Sequence, residues 1–570
     1  MDLSYLRQQI IGAQVEFDSP YGKRMMTYAD FTASGRSILF IEAYLQKLEE
    51  FYANTHTDDS YAGLQMTHLY HEAKDTIRNL CHGNQDYVVL SVGSGTTGAI
   101  LKLSQILGVY EAPATKNRRK LLEQQISGFS PEAQSCIEKL NQLGQSSRPV
   151  VFISSYEHHS NDLIWREGDA EVVQIGLTEE GHFSLEDLES QLQNPNYQGR
   201  LLIGAFSAAS NVTGMLSPIY DIARIMHTYG GLAFFDFAAC SPYVEINLTK
   251  SELEAFDGIY LSPHKMIGGP GTSGLLVFHK SIYNKALSPT CAGGGTVKYV
   301  SSKFYDFISD IEIREDAGTP AILQVIKTAL ALLLKEEIGI PTIEAIERDY
   351  MQQALKRFEQ DPNIYILGPT GLRERLSIFS FNIKYKKGYL HPRFVTKLLN
   401  DLFGIQARAG CSCAGPYGHQ LLKIDPILSE KYRGIISTGL EVMKPGWVRV
   451  NFHYLFESKS TLQFIFDAIE FIGEYGYLFL QDYSVDVQTG KWEHKNQNVH
   501  TLRSLNLHEA MWPEKNLLSP YDEAKTQVCY EAYWSFANQR KDLLMVEAAM
   551  YELFGEIDLK ELAWFYQLKK

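Results

Sequence analysis

The feature that most restricts the fold is a series of short apolar runs spread through the first three hundred residues. They occupy 150–153, 201–206, 232–235, 258–261 and 274–278, and stretches of helical spacing separate them. Runs this short suit strands buried on both faces of a parallel sheet. Between Ser217 and Tyr229, Ile219, Ile222, Ala223 and Met226 recur at helical spacing. The expectation is an α/β fold: a large domain with a mostly parallel sheet, containing a strand–helix–strand unit that ends in Asp236, plus a smaller α+β domain.

The 570 residues suggest three or so domains. We read an N-terminal segment at 1–27, a large domain at 28–335, a small α+β domain at 336–478 and a C-terminal helical extension at 479–570. Residues 112–148, rich in Lys, Glu, Gln and Ser, break the rhythm of the large domain as a helical surface insertion. Strands are expected at 378–383 and 447–452, and an amphipathic helix at 541–562. The tail is rich in aromatics, among them Trp492, Trp512, Tyr521, Tyr530, Trp534, Phe554 and Trp564, so it should fold and dock.

Basic residues number 53 and acidic residues 67, a formal charge of −14. Without a basic stripe, that argues against nucleic acid as the main partner. No apolar run is long enough to suggest a membrane span. The seven cysteines are scattered and odd in number, which is not a disulfide framework. No secretory leader pattern opens the sequence, so a cytoplasmic location is expected.

Five groups of residues carry chemistry. Ser262-Pro263-His264-Lys265 follows a buried strand and precedes a glycine-rich loop, Gly268-Gly269-Pro270-Gly271. An amine near a cationic or desolvated site loses its proton and condenses with aldehydes, while Ser262 and His264 can donate toward a phosphate. Asp236 closes an apolar strand, at the edge where α/β sheets bind ligands. Ser94-Gly95-Thr96-Thr97-Gly98 opens a helix and offers free N–H groups to an anion, or simply caps that helix. Glu157-His158-His159 follows a strand, and its histidines suit ring stacking or proton transfer, or a plain loop. Arg408-Ala409-Gly410-Cys411-Ser412-Cys413 pairs a guanidinium suited to a carboxylate with two loop cysteines. His419 lies close by in sequence, but no second Cys/His cluster supports a metal site, and none is expected.

Taken together, these motifs resemble the cysteine desulfurases and related class V aminotransferase-fold enzymes, including the selenocysteine lyases. The resemblance rests on Tyr260-Leu261-Ser262-Pro263-His264-Lys265, Glu157-His158-His159, Ser210-Asn211-Val212-Thr213-Gly214, Asp236, Gly95-Thr96-Thr97 and Ala317-Gly318-Thr319-Pro320, and runs from about Tyr28 to Gly473. It implies a pyridoxal-phosphate enzyme of fold type I. Lys265 would carry the cofactor as a Schiff base, His158 would stack on its ring, and Asp236 would pair with the pyridinium. Thr96, Thr97, Ser262 and His264 would hold the phosphate. Thr319 would reach the phosphate of a neighbouring subunit in a homodimer. Asn211 and Arg408 would bind the carboxylate of a small amino-acid substrate, and Cys413 would be the nucleophile that forms a persulfide, with a sulfur-acceptor protein as a further partner.

Two positions depart from the family. Ala239 stands where a glutamine near the ring hydroxyl is usual, which leaves Cys240 or a water to substitute. Cys411 is an extra candidate nucleophile. The alternatives are another class V reaction (aminotransfer, epimerisation or selenocysteine cleavage) and a catalytically degenerate scaffold that binds a protein partner.

Overall fold

The structure is a computed structural model, and it describes residues 1–55, 57, 59–371, 375–456, 459–496, 522–547, 549–553 and 562–569. The chain divides into two compact units. One comprises Ser34–Ser210 and Met215–Ile340; the other comprises Met1–Ala33, Asn211–Gly214 and Pro341–Lys570.

The first unit is built on seven strands: β1 (Tyr87–Ser91), β2 (Val150–Ser154), β3 (Glu171–Ile175), β4 (Leu202–Ser207), β5 (Leu232–Asp236), β6 (Gly258–Leu261) and β7 (Leu275–His279). Their order across the sheet is β1-β7-β6-β5-β4-β2-β3. Strands β3, β2, β4, β5 and β6 run parallel, while β7 is antiparallel to both β6 and β1. Every residue of β2 and β4 is buried, because helices cover the sheet. Helix Thr96–Ile106 buries Ala99, Ile100 and Leu103, and helix Ile219–Thr228 buries Ile222, Ala223 and Met226. Each such aliphatic side chain contributes roughly 1.5–3 kcal/mol when removed from water. Parallel strands end on one edge of the sheet. Ser154, Ser207, Asp236 and Leu261, the last residues of β2, β4, β5 and β6, therefore share the ligand-binding edge.

The insertion folds as two helices, Pro113–Ser127 and Pro131–Ser147, neither of which buries a residue. Strands β1 and β3 were not anticipated. The burial of β3 is only partial, so its apolar signal is short.

The second unit has an antiparallel sheet in the order Ile364–Ile366, Ile378–Tyr385, Trp447–Asn451 and Arg408–Gly410. The N-terminal segment belongs to this unit rather than standing apart, and Thr27–Tyr28 pairs in parallel with Ile405–Gln406. The tail is mixed rather than helical. Tyr483–Asp486 and Lys491–His494 form a hairpin, Glu523–Val546 is a helix, and Tyr551–Leu553 pairs with Tyr566–Leu568. The helix expected at 541–562 thus ends at Val546; residues 554–561, with Phe554, and Trp512 and Tyr521 lie outside the described residues. The docking of the tail is aromatic: Tyr530 stacks on Phe464 with ring centroids 3.8 Å apart. Among the described residues no helix is long and apolar enough to cross a membrane.

Candidate active site

In the first unit, β6 runs into a 3-10 turn, Pro263–Lys265. Ser262 Oγ accepts from the Thr96 N–H at 2.9 Å, which joins the lysine turn to the first turn of helix Thr96–Ile106. A Cβ added to Gly95 would stand 3.0 Å from Ser262 Oγ and 3.6 Å from His264 Nε2. Thr96, Ser262 and His264 therefore surround a small backbone cradle at a helix N-terminus, where N–H groups favour an anion. Burial, with the neighbouring Lys265 charge, lowers the His264 pKa to about 4, so its imidazole is neutral near pH 7. A Cβ on Gly269 would fall 1.9 Å from the Pro263 carbonyl oxygen, and one on Gly35 would fall 1.8 Å from that of Met266. These glycines let backbone pack closely against the lysine turn.

Asp236 is buried at the end of β5, and Oδ1 accepts from the Ala238 N–H at 2.8 Å. Burial pushes its pKa up to about 6, against the pull of that N–H and of the Lys265 charge. A buried carboxylate this sparsely bonded suits a protonated ring nitrogen. Ala239 offers no polar group in place of the usual glutamine, and next to it in sequence stands Cys240. It is fully buried, and its Sγ donates to the Phe237 carbonyl at 3.8 Å. The turn is instead braced from behind. Lys335 Nζ donates to the carbonyls of Ser241 at 2.9 Å and Val244 at 2.6 Å, and burial lowers its pKa to about 8.

The Glu-His-His motif divides its labour. Glu157 is buried between the ends of β2 and β4. Oε1 accepts from Ser154 Oγ at 2.6 Å and Ser207 N at 2.7 Å; Oε2 accepts from Ser207 Oγ at 2.6 Å and Asn161 Nδ2 at 2.7 Å. Desolvation raises its pKa to about 7 in spite of these donors. Glu157 is therefore structural, and it fixes the loop on which His158 stands. His158 Nδ1 accepts from the Ser160 N–H at 3.2 Å. Thr319 is exposed, and its Oγ1 accepts from Asn54 Nδ2 at 3.2 Å.

In the second unit, Asn211 Nδ2 donates to the Ser412 carbonyl at 2.7 Å, tethering the cysteine loop. Ser412 and Cys413 both adopt left-handed backbone, with φ of 51° and 55°. Cys413 is exposed, Cys411 half-buried. His419 Nδ1 lies 3.3 Å from Ser429 Oγ, and no group of three metal-ligating side chains occurs among the described residues. Asp30 receives two arginines: Arg408 Nε at 3.0 Å and Arg449 at 3.2 Å. Arg449 was missed in the sequence. Its side chain is only 5% exposed against 54% for Arg408, and it donates to the Asn211 carbonyl at 2.9 Å. The signal was an arginine inside the apolar run Trp447–Asn451, which requires a buried partner.

The aminotransferase class-V family model matches residues 133–440, over half of the chain. That span contains His158, Asp236, Lys265, Arg408 and Cys413, while Thr96 and Thr97 precede it. A probable cysteine desulfurase of Halalkalibacterium halodurans is 26% identical over 397 residues, covering 69% of this chain and 84% of that protein. One from Halobacterium salinarum is 28% identical over 283 residues, covering 49% and 63%. Among solved structures, the apo cysteine desulfurase of Thermococcus onnurineus NA1 aligns with TM-score 0.59 at 22% identity, covering 79% of this chain and 95% of that one. The cysteine desulfurase CsdA of Escherichia coli, in its S-sulfonic acid form, aligns with TM-score 0.60 at 20% identity, covering 82% and 98%. The architecture is accordingly that of fold type I pyridoxal-phosphate enzymes. The chain belongs to the aminotransferase class-V family, as a pyridoxal-phosphate-dependent enzyme of the cysteine-desulfurase-like kind.

Proposed function

We propose that this protein is a C–S lyase of the cysteine desulfurase type that binds pyridoxal phosphate at Lys265 and collects sulfur on Cys413. The observation that carries the reading is the convergence of Lys265, Asp236 and the Gly95–Ser262–His264 cradle in one unit. Bound pyridoxal phosphate supplies an electron sink for the bond broken at the substrate. Lys265 holds the cofactor and, once displaced by substrate, is placed to move a proton. Thr96, Thr97, Ser262 and His264 bind the phosphate; His158 packs on the ring. Asn211 and Arg408 bind the carboxylate of a small amino acid, and Arg449, already desolvated beside Asn211, serves the same anion. The Cys413 thiolate attacks the substrate sulfur: an S–S bond forms, the C–S bond breaks, and its electron pair leaves on the substrate carbon. The resulting persulfide passes sulfur to an acceptor protein or, in vitro, to a thiol that reduces it to sulfide.

The test is sulfide release from cysteine by holoenzyme with a thiol reductant. Sulfide in step with the amino-acid product is expected. No sulfide, with turnover of another amino acid, would move the protein to aminotransfer, epimerisation or selenocysteine cleavage. A protein with no cofactor absorption at all would be the scaffold.

Asp236 should be worth more to turnover than to cofactor retention. A charge-assisted bond to a ring nitrogen contributes about 1.5–3 kcal/mol in ordinary contexts, and more to a carbanionic transition state in a dry site. Asp236→Ala should lower kcat by orders of magnitude while retaining most of the cofactor. Near-normal kcat would remove the electron-sink role.

The working form is a cytoplasmic homodimer in which Thr319 serves the partner's phosphate site. The segment that carries Asn54, the partner of Thr319, exposes Phe51 and Tyr52, with Tyr61 against Phe51, and the Val297–Val300/Tyr305–Phe307 hairpin of the same unit exposes Phe304 and Tyr305; a second copy would cover such side chains. Twofold dimers are the commonest oligomers. Sedimentation should find twice the 64.6 kDa chain mass. A fully active monomer would refute it.

A further inference from the structure

We propose that Ser160 is a positioning residue that ties the His158 ring to the phosphate turn at Thr97. This deepens the function above and rests on it: His158 packs on the cofactor ring, and Thr97 serves its phosphate.

The Ser160 hydroxyl lies 2.7 Å from Thr97 Oγ1 and 3.1 Å from His158 Nδ1, and the Ser160 N–H donates to that same nitrogen at 3.2 Å. A backbone N–H can only donate, so Nδ1 presents its lone pair and the proton of the neutral ring sits on Nε2. The hydroxyl therefore donates to Nδ1 and accepts from Thr97 Oγ1. The result is a directed chain, Thr97 to Ser160 to His158, between the first turn of helix Thr96–Ile106 and the ring.

The remainder of the 3-10 turn His159–Asn161 is immobilised. The Asn161 N–H donates to the His158 carbonyl at 2.8 Å. Asn161 Nδ2 donates to Glu157 at 2.7 Å and to the Ala205 carbonyl at 3.0 Å, while Oδ1 accepts from Trp165 Nε1 at 3.1 Å. Both ends of the Asn161 amide are thus assigned. Capping of the turn by His158 needs only the backbone N–H of Ser160, so the hydroxyl bridge goes beyond what capping requires. Its effect is to hold the imidazole plane against rotation: the Thr97 hydroxyl stays on Ser160, and Thr97 meets the phosphate through its backbone N–H at the helix N-terminus.

The experiment compares wild type, Ser160→Ala, Ser160→Thr and Thr97→Val as holoenzymes. The measurements are borohydride trapping, far-UV circular dichroism, the induced circular dichroism of the bound cofactor and the rate of cofactor release. Ser160→Ala should trap cofactor and keep its far-UV spectrum. Its induced band should change, and it should release cofactor about fivefold faster, or about 1 kcal/mol at 1.36 kcal/mol per tenfold. Ser160→Thr should restore the wild-type band. Adding Ser160→Ala to Thr97→Val should change little more, because the two break one chain. Should Ser160→Ala not fold, the band of Ser160→Gly is read in its place. An unchanged induced band in a folded, trapped variant overturns the Ser160 role and leaves the cofactor reading standing. A wild-type protein that traps no cofactor overturns the reading at Lys265 and this role with it.

Discussion

Lys265→Ala should abolish the borohydride-trappable link to the cofactor and leave the fold intact. The expectation of an intact fold follows from what holds the lysine turn. The Lys265 N–H donates to the Ser262 carbonyl at 3.0 Å, the Gly35 N–H to the His264 carbonyl at 2.8 Å, and the Met266 N–H to the Pro263 carbonyl at 2.9 Å. All are backbone bonds that alanine preserves. What the side chain provides is charge and chemistry. It contributes a favourable field at Asp236, so the variant should raise the Asp236 pKa further above its value of about 6. Absorbance after borohydride treatment and desalting reads the result. Cofactor still covalently retained by the variant would mean that another amine is the attachment point.

Cys413→Ser should retain the cofactor spectrum and lose most cysteine-dependent sulfide, whereas Cys411→Ser should not. Transfer of sulfur needs a thiol that can reach a substrate and then present the persulfide to an acceptor, which requires exposure. Cys413 is exposed and Cys411 half-buried. The backbone agrees: Ser412 and Cys413 stand in the left-handed region, where residues other than glycine lose on the order of 1 kcal/mol. Such outliers persist where surrounding bonds hold them, here Asn211 on the Ser412 carbonyl and the Ala414 N–H on that of Cys411. Serine has nearly the shape of cysteine, so a loss of sulfide reports the missing thiol rather than a collapsed loop. If Cys411→Ser loses the sulfide instead, the roles are reversed. If neither does, the chemistry is one that needs no thiol, such as aminotransfer or selenocysteine cleavage.

The legible parts of the fold were those whose signal is local. Strands β2, β4, β5, β6 and β7 coincide within a residue or two with the apolar runs, because a strand covered on both faces must be apolar throughout. The helix after Ser217 and the two helices of the insertion were equally plain, since their spacing is carried within one segment. The tail was harder. Its aromatics announced burial, but the strands of a ladder such as Tyr551–Leu553 with Tyr566–Leu568 are only three residues long, too short to show an alternating pattern.

The candidate site divides the same way. The sequence by itself determined which residue types stand at strand ends: Lys265 after β6, Asp236 closing β5, His158 after β2 and Thr96 opening a helix. Each is decided by neighbours only a few residues away. Only the tertiary structure decided how their environments differ. It buried Asp236 and Glu157 in the same unit, yet gave Glu157 several side-chain and backbone donors, including Ser154, Ser207 and Asn161, against a backbone N–H from Ala238 at Asp236. It turned the glycine-rich loop toward the Pro263 carbonyl, placed Lys335 behind the turn that carries Ala239, and brought Arg449 beside Asn211 across 238 residues of sequence. Burial and long-range hydrogen bonds are properties of the assembled chain. They set the pKa of a carboxylate and the worth of an arginine, and neither can be read from residue type and spacing.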